Sequence, residues 1–402
     1  MTAAIRILHV FGKLNRGGAE SRVMDLYRHM DRTKVQFDFL VHYDGTDMSQ
    51  RPKEDLDDEV LSLGGRIYVL PRFNGKNYGE YKKACRDFFA EHHDFAAVEG
   101  HMTSTASIYL PIAKAAGVPV TMAHARSAGV DGGLKGLATK LLRRSLPKRC
   151  DIMLSCSKAA SIAVYGRKAY ESGQVRFVPN ALELRPFAYQ EARRNAVRVM
   201  YGIPEDAIVI GHVGRLDPVK NHTYIASIGA ALEQLQAGES GKERKWYYLF
   251  AGKGALQEEI QRAFESAGIA DHLIFAGQLP REQTAAIYQA FDVFVFPSLY
   301  EGLPGTVLEA QAAGLPCVIA STITDEVELT DLVKRLSIGE KDAEIWAKEI
   351  LRRTTGSEPG CVKAGDRAGR KAASEKAQRA LDEAGYNVET AAKKMQEFYL
   401  ML

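Results

Sequence analysis

Cysteine is scarce in this chain, and long hydrophobic runs are missing. Five cysteines are scattered over 402 residues, at spacings that fit neither a disulfide framework nor a zinc site, so we expect reduced thiols as in cytosolic proteins. No run of about 18 apolar residues is present, which argues against a transmembrane helix. The apolar start leads directly into Gly12 and Lys13 without a small-residue cleavage site, which predicts a first strand and not a signal peptide.

A global excess of one charge sign is also missing. Lysine and arginine number 53 against 50 acidic residues, a net charge of +3, so nothing draws the whole protein to nucleic acid or membrane. Residues 132–149 are the local exception, with six bases, no acid and five interleaved leucines. This stretch supports two interpretations equally: a peripheral contact with an anionic membrane, or a buried leucine stripe with a solvated basic edge.

The chain does contain a repeated alternation of short β-branched runs and helical patterns. At 402 residues it exceeds the roughly 250 to 300 residues that one core serves, so two domains are expected. The alternation is typical of an α/β fold with parallel sheets covered on both faces. Turn signals at Pro179 and Pro186 place the junction between a domain of residues 1–183 and a domain of residues 184–386. The predicted strands are 5–11, 37–41, 67–70, 96–98, 119–122, 152–155 and 175–178, then 207–213, 246–251, 273–275, 293–296 and 317–320.

A glycine-rich turn in the second half separates the predicted strand 293–296 from a helical pattern. Pro304 suits a first helical turn, where its missing N–H costs nothing. The amides of Gly305, Thr306 and Val307 would then point out of the helix N-terminus, where the helix dipole favours an anion such as a diphosphate. Strand, turn and helix together predict a phosphate-binding site.

Two glutamates belong to this segment, with seven residues between them. Glu301 and Glu309 can each accept two hydrogen bonds, which suits the vicinal hydroxyls of a ribose or a sugar ring. With the surrounding EGLPGTVLEAQAAGLPCVIAS, they resemble the E-x7-E motif of the retaining GT-B glycosyltransferases of family 4, especially the enzymes that build bacterial capsular and extracellular polysaccharides. The resemblance implies that Glu309 holds the ribose and that Glu301 contacts the donor sugar. It also implies donor-binding roles for Gly302, Leu303, Pro304, Gly305 and Thr306.

A second constellation follows the predicted strand 207–213. Gly214, Arg215 and Lys220 resemble the family pattern in which two cations grip the donor diphosphate, and cations are needed there because charge builds on the departing nucleotide. No metal site is visible in the sequence, so we expect a metal-independent enzyme without a cofactor. The loop with Gly252 and Gly254 lacks the third glycine of a dinucleotide fingerprint, which disfavours NAD; in the family this loop lies beside the nucleotide.

The N-terminal half supplies candidates for the opposite side of a cleft. Gly17 and Gly18 open a predicted helix in a GGAE sequence that resembles the family's N-terminal loop and allows close approach of a phosphate or an acceptor. Both glycines are expected to help bind the donor. His124, expected just past the strand 119–122, matches the family's cleft histidine. The family often has His-Ser-His-Asn here, so Ala125 and Arg126 depart from its pattern. The acceptor candidates are Glu20, His101 and Arg126; for both histidines a purely structural role is the alternative.

The resemblance covers nearly the whole chain and predicts two Rossmann-like domains with a cleft between them, and a C-terminal helix, 387–402, that crosses back to the first domain. It implies a retaining, hexosyltransferase-type enzyme that transfers a sugar from a nucleotide diphosphate donor, by resemblance UDP, to a glycan or lipid-linked acceptor in bacterial surface polysaccharide synthesis. The residues assigned to the reaction are His124, Glu301, Arg215 and Lys220.

Other predictions remain beside this main one. A GT-B epimerase or phosphorylase, and a non-catalytic nucleotide-sugar or glycan-binding protein, stay open as alternatives. The expected location is cytoplasmic, at the inner face of the membrane if residues 132–149 contact it. Asp55-Leu56-Asp57 mimics an Asp-x-Asp metal motif, but it lies in a charged helical stretch and is expected on a solvated face.

Overall fold

The computed structural model describes residues 3–15, 17–126, 129, 133–237, 245–339, 341–356 and 358–402. The chain divides into two compact units. The first comprises Met1–Leu182 and Gly385–Leu402, and the second comprises Glu183–Ala384. The sequence places the junction one residue later, between residues 183 and 184, and starts the returning segment at residue 387.

The first unit is built on a seven-stranded parallel sheet in the order β3-β2-β1-β4-β5-β6-β7. Both faces of this sheet are covered, because Leu8 and Val10 belong to one hydrophobic core and Ile7 belongs to the other. The strands are β1 (Ile5–Val10), β2 (Val35–Tyr43), β3 (Ile67–Pro71), β4 (Ala97–Gly100), β5 (Val120–Ala125), β6 (Ile152–Ser155) and β7 (Val175–Phe177). The helices are α1 (Gly18–His29), α2 (Asp57–Ser62), α3 (Tyr78–Glu91), α4 (Ala106–Ala115), α5 (Gly133–Ser145), α6 (Lys158–Tyr165) and α7 (Arg167–Glu171).

The second unit repeats this arrangement with six parallel strands in the order β10-β9-β8-β11-β12-β13. Its strands are β8 (Ile208–Val213), β9 (Trp246–Ala251), β10 (Leu273–Gly277), β11 (Val293–Phe296), β12 (Cys317–Ala320) and β13 (Val333–Leu336). Its helices are α8 (Glu191–Met200), α9 (His222–Ala237), α10 (Gln257–Ser266), α11 (Arg281–Ala290), α12 (Gly305–Ala312), α13 (Ala343–Thr355) and α14 (Arg367–Glu383). The sequence therefore predicted the α/β class and the two parallel sheets correctly.

The last helix, α15 (Val388–Leu400), returns to the first unit. Asn387 caps it, because its side-chain oxygen accepts the N–H of Glu389 at 3.1 Å. Leu182 fixes the approach to the helix: its N–H donates to Tyr386 O at 2.9 Å, and its carbonyl accepts the N–H of Val388 at 3.0 Å. The helix packs against α1 and buries Val388, Ala392, Met395, Phe398 and Tyr399 in the core of the first unit. The predicted cap and the predicted return are confirmed.

Four local predictions were wrong. β5 runs to Ala125, so His124 lies inside the strand and not just past it. β13 was missed because its sequence, Val-Lys-Arg-Leu, carries two charges at the edge of the sheet. Pro304 is the N-cap of α12, one residue before the first turn. Of the two aspartates expected on a solvated face, Asp55 is exposed, but Asp57 is buried and accepts hydrogen bonds from Arg51 at 2.7 and 3.0 Å.

The basic segment forms α5, and the structure describes part of it. The side chains of Leu137 and Leu141 are 57% and 62% exposed, while Leu146 is buried. Arg143 is engaged by the protein, because its Nε donates to Thr103 Oγ1 at 3.0 Å. Gly132 and the side chains of Leu134 and Lys135 lie outside the described residues. None of the described helices is long and apolar enough to cross a membrane.

Candidate active site

In both sheets the strand order reverses beside the first strand of the unit, between β1 and β4 and between β8 and β11. Each of these positions is a topological switch point. In parallel α/β sheets the carboxyl ends of the strands form a ligand crevice at such a point. Most predicted site residues follow these strands. Arg215 comes two residues after β8, Glu301 begins the turn after β11, and His101 directly follows β4. Topology therefore gives each unit its own candidate site.

Glycines in the second unit allow the loop after β9 to touch the loop after β8. Gly252 has φ +145°, and a Cβ there would overlap the carbonyl of Gly214. A Cβ on Gly254 would overlap the backbone of Leu216 in the same way. The contact is fixed by the Gly214 N–H, which donates to Ala251 O at 2.9 Å. These glycines are therefore required for close packing of backbone on backbone.

The loop after β8 is also joined to the loop after β11. The N–H of Leu299 donates to Val219 O at 2.8 Å, and Asn221 Nδ2 donates to Pro297 O at 3.3 Å. Asn221 has φ +54°, a conformation that asparagine tolerates better than most residues. The two loops thereby bring their charged side chains to one place, at the carboxyl edge of the sheet.

Lys220 and Glu301 form an ion pair at this edge, with side chains only 14% and 21% exposed. Lys220 Nζ also lies 4.7 Å from the centre of the Phe296 ring. Arg215 differs, because its side chain is 82% exposed and its ion pair is with Asp217, at 3.0 Å. The structure thus brings Lys220 and Glu301 together as predicted for one site, and leaves the Arg215 guanidinium in solvent.

The N-terminus of α12 presents polar groups beside this ion pair. The N–H of Val307 donates to Pro304 O at 3.2 Å, whereas those of Gly305 and Thr306 have no acceptor among the described residues. Thr306 Oγ1 is buried and likewise lacks a hydrogen-bond partner within the described parts of the chain. Two amides, and not the three predicted, are therefore available at a helix tip that favours anions.

Further along α12, Glu309 is oriented by a tyrosine that the sequence did not indicate. The hydroxyl of Tyr288 donates to Glu309 Oε2 at 2.8 Å. Burial raises the pKa of Tyr288 well above its ordinary value, so the hydroxyl stays protonated and remains a donor. Of the other predicted donor residues in the turn, Gly302 is exposed and Leu303 is partly exposed.

The GGAE segment opens helix α1 in the first unit. Gly17 is the N-cap, and a Cβ on Gly17 would overlap the carboxylate of Glu20. Glu20 therefore folds back over the first turn of the helix, where the dipole favours a negative charge. Burial raises the pKa of the Glu20 carboxyl. Gly18 has open space where a side chain would stand.

His124 belongs to a fully buried cluster on the sheet of the first unit. Its Nδ1 donates to Glu99 Oε1 at 2.7 Å, and the Tyr399 hydroxyl of α15 donates to Glu99 Oε2 at 2.6 Å. Burial lowers the pKa of His124 to about 4. Burial opposes the charge on Glu99, but the hydrogen bond that it accepts from His124 favours the charge, and the pKa of Glu99 lies well below its ordinary value.

The cluster continues to the strand ends through His101 and Arg126. His101 Nε2 lies 3.0 Å from His9 Nδ1 and 3.6 Å from Glu99 Oε1. Arg126 donates from Nε to His101 Nδ1 at 3.5 Å and from Nη1 to Asn180 Oδ1 at 2.8 Å. Sequence reasoning missed Glu99, His9 and Tyr399 as partners. The only available signal was a glutamate inside an otherwise apolar β4.

One nitrogen or oxygen atom from each of His9, Glu99 and His101 lies within 4.8 Å of the others, a spacing that a metal ion could bridge. A histidine that binds a metal through Nε2 carries its proton on Nδ1, and usually donates it to an acceptor. Here Arg126 Nε, itself a donor, faces His101 Nδ1. The hydrogen-bond arrangement of the described residues therefore favours a protonated His101 Nε2 over a metal ligand.

Two doubly wound parallel units with sites at their switch points define the GT-B class of glycosyltransferases. The solved structure of Anabaena HepE in complex with UDP shares this fold, with a TM-score of 0.71 at 16% identity over 99% of this chain and 100% of HepE. A Rickettsia africae glycosyltransferase gives a TM-score of 0.73 at 14% identity over 98% of each chain.

Sequence comparisons give the family. Residues 194–368 match the family described as "Glycosyl transferases group 1". EpsF of Bacillus subtilis (strain 168), which carries the name of a glycosyltransferase, is 34% identical over 360 residues, or 88% of this chain and 89% of EpsF. The chain therefore belongs to the group 1 glycosyltransferases, enzymes that transfer a sugar from a nucleotide sugar. The Escherichia coli UDP-Gal:alpha-D-GlcNAc-diphosphoundecaprenol alpha-1,3-galactosyltransferase is 26% identical over 229 residues, 56% of this chain and 57% of that protein.

Proposed function

We propose that this protein is a retaining glycosyltransferase that moves a sugar from a UDP-sugar to a glycan or lipid-linked acceptor in bacterial surface polysaccharide synthesis. The observation that carries the proposal is the polar edge of the second unit, where Lys220, Glu301 and the tip of α12 are brought together. UDP is supported by its presence in the HepE structure. A lipid-diphosphate acceptor is supported by the name of the Escherichia coli relative.

In this proposal the donor diphosphate binds at the tip of α12. The N–H groups of Gly305 and Thr306 donate to it, because the helix dipole favours an anion there. The ion pair with Glu301 holds Lys220 in position before the donor arrives. When the diphosphate binds, Lys220 shifts a hydrogen bond to a phosphate oxygen and releases Glu301 for the hydroxyls of the donor sugar. The exposed Arg215 approaches the diphosphate from solvent.

The nucleoside occupies the far end of the same site. Tyr288 holds one oxygen of the Glu309 carboxylate, and thereby fixes the orientation in which Glu309 meets the ribose hydroxyls. Gly252 and Gly254 hold their loop against the loop after β8 by close backbone packing, and this loop lies beside the nucleotide in the proposal. The donor site is thus preorganised by groups that the protein itself holds in place.

The reaction we propose is a front-face displacement with retention. The bond between the anomeric carbon and the diphosphate oxygen breaks, and the acceptor oxygen bonds to the same face of that carbon. The departing oxygen takes the acceptor proton, so no separate base and no metal ion is required. Lys220, Arg215 and the amides of α12 stabilise the charge that builds on the diphosphate. His124, neutral because of its lowered pKa of about 4, acts as a hydrogen-bonding group and not as a cation.

The acceptor meets the first unit in this proposal. Its candidate residues are at the start of α1 and at the strand ends, where the Arg126 guanidinium is held by Asn180 and His101. Exposed Leu137 and Leu141 alternate along α5 with exposed Lys140 and Arg144. That pattern supports a peripheral contact with an anionic membrane, from which a lipid-linked acceptor would be taken.

The test combines purified protein with a panel of UDP-, GDP- and ADP-sugars and measures nucleotide release. We expect release from a UDP-sugar to rise when a short-chain lipid diphosphate carrying N-acetylglucosamine is added, and to persist in excess EDTA. NMR of the product should show the anomeric configuration of the donor. A binding protein would release no nucleotide with any donor, and an inverted product would contradict the front-face mechanism.

A further inference from the structure

A chain of buried polar side chains connects the C-terminal helix to the strand ends of the first unit. Tyr399 on α15 donates to Glu99, and Glu99 lies 3.6 Å from His101 Nε2. His101 in turn faces the Arg126 guanidinium. All four residues belong to the first unit, and none of them belongs to the donor site of the second.

The negative charge of Glu99 and the positive charge of Arg126 lie on either side of His101 in this series of buried side chains. Glu99 is ionised and 1% exposed, and buried carboxylates require compensation. The surrounding His9, His101 and His124 are neutral, because burial lowers the pKa of each. Arg126 is the permanent cation of the described cluster, and His101 stands between it and Glu99. The carboxylate thus stabilises the position of the guanidinium without touching it.

We propose that Glu99 is a positioning residue: through His101 it holds the Arg126 guanidinium at the strand end, and Tyr399 of the C-terminal helix holds Glu99 in turn. The effect on catalysis rests on the proposed function, in which Arg126 meets the acceptor. The order of hydrogen bonds from Tyr399 to Arg126 is independent of that function, so the hydrogen-bond order and the effect on catalysis can be tested separately.

This order of hydrogen bonds assigns opposite tautomers to neighbouring histidines. Arg126 can only donate, so His101 Nδ1 accepts and its proton is on Nε2. That proton faces His9 Nδ1 at 3.0 Å, which makes His9 an acceptor there. His124 donates Nδ1–H to the ionised Glu99 and therefore carries no proton on Nε2. A metal ion held by His9, Glu99 and His101 would require the other tautomer at His101.

Nitrogen-15 NMR of the histidine rings in the full-length protein tests this order directly. We expect His124 protonated on Nδ1, and His9 and His101 protonated on Nε2. Arg126→Met should change the signals of His101 and leave those of His124 in place. Addition of Zn²⁺, and of Co²⁺ read by its visible absorption, should change nothing. The proposal is overturned by a His101 protonated on Nδ1, or by stoichiometric metal binding that the His101→Asn variant loses.

The role in catalysis is tested with two tyrosine variants of the same core. Tyr399→Phe removes the hydroxyl that holds Glu99, whereas Tyr27→Phe removes a buried hydroxyl that bonds Gln36 and Leu63 O. With the lipid diphosphate acceptor described above, we expect Tyr399→Phe to raise the acceptor KM about tenfold, which corresponds to about 1.4 kcal/mol. The donor KM should stay within about twofold in both variants.

Equal acceptor KM values for the two tyrosine variants would reduce Tyr399 to a structural role and overturn the proposal. Unfolding midpoints of both variants show whether either is simply less stable. If the wild-type protein transfers no sugar to any acceptor, the proposed function fails, while the ring tautomers still decide whether Glu99 holds Arg126 as proposed.

Discussion

The two units place different chemistry at the same topological position. At the β1/β4 edge of the first unit, the side chains of Glu99 and three histidines are buried and contact one another, and Tyr399 of α15 donates to Glu99. At the β8/β11 edge of the second unit, Arg215 extends into solvent, and the amides of Gly305 and Thr306 at the start of α12 lack acceptors among the described residues. The first edge pairs most of its polar groups with one another, apart from His9 Nε2 and His124 Nε2, whereas the second keeps a guanidinium and two helix amides available to a ligand.

The difference shows that two units with the same type of fold can have different functions. A parallel doubly wound sheet supplies a crevice at its switch point, and the side chains decide whether protein or ligand fills it. Both edges use a tyrosine to orient a glutamate, Tyr399 on Glu99 and Tyr288 on Glu309. In the first unit that glutamate is fully buried, and in the second it is partly exposed.

The largest expected effect concerns the fixed cation of the second unit. We expect Lys220→Ala to lower kcat on the order of a hundredfold or more, comparable to the loss of one oxyanion donor. Hydrogen–deuterium exchange of the first unit should be unchanged, because Lys220 lies in the second. The measurement is steady-state transfer from a UDP-sugar to the lipid diphosphate acceptor.

Lys348→Ala is the matched control for this change. Lys348 is an exposed lysine of the same unit whose ion pair, with Glu344, lies within α13. It should keep the wild-type rate, because exposed pairs of this kind contribute little. An unchanged rate for Lys220→Ala would remove Lys220 from the mechanism and leave the second edge with Arg215 as its cation.

The site residues at the β8/β11 edge of the second unit were far easier to predict from the sequence than those at the β1/β4 edge of the first. Glu301 and Lys220 belong to short local patterns of glycine, charge and strand, and the structure joins them in an ion pair. Glu99 and Tyr399 are 300 residues apart in the sequence, and no local pattern pairs them. His124 was expected past its strand because the alternation of β5 does not show where the strand ends. Site residues within short sequence patterns could therefore be predicted, whereas buried contacts between residues far apart in the sequence required the structure.

The intermediate effect is a different sensitivity of the two units to acid. Burial lowers the pKa of His9, His42 and His124 in the first unit to about 4, and that of His101 well below its ordinary value. In the second unit only His212 and His222 behave this way among the described residues. Unfolded histidine titrates near 6.5. The stability that these buried histidines contribute is therefore fully present above about pH 6.5. It falls toward about pH 4, because the unfolded chain takes up protons that the folded chain does not.

Each buried histidine contributes up to about 1.4 kcal/mol per pH unit in that window. With four such residues against two, the first unit should lose protection from hydrogen exchange faster than the second between pH 7 and pH 5. His42→Asn, which removes one of the four outside the Glu99 cluster, should make the loss shallower in the first unit alone. Parallel loss in both units would contradict this account of the buried edge.

The smallest expected effect concerns the exposed charge of the first unit, which lies on α5 and not at the strand edge. Changing Lys140 and Arg144 to glutamate should reduce binding to vesicles that contain anionic lipid, at about 1 kcal/mol for each basic residue removed. Binding to neutral vesicles should stay weak in both proteins. Arg143 is left unchanged, because its bond to Thr103 belongs to the fold.

The salt dependence of vesicle binding provides a second test of this prediction. Attraction between exposed charges falls within a Debye length of roughly 10 Å at 0.1 M salt, so wild-type vesicle binding should weaken as salt rises and approach that of the variant. Transfer to a detergent-solubilised acceptor should be the same for both proteins, because neither residue is placed in the reaction. Vesicle binding that is equal in the two proteins at low salt would leave α5 as a helix with a solvated basic edge, and would separate acceptor recognition in the first unit from any membrane contact.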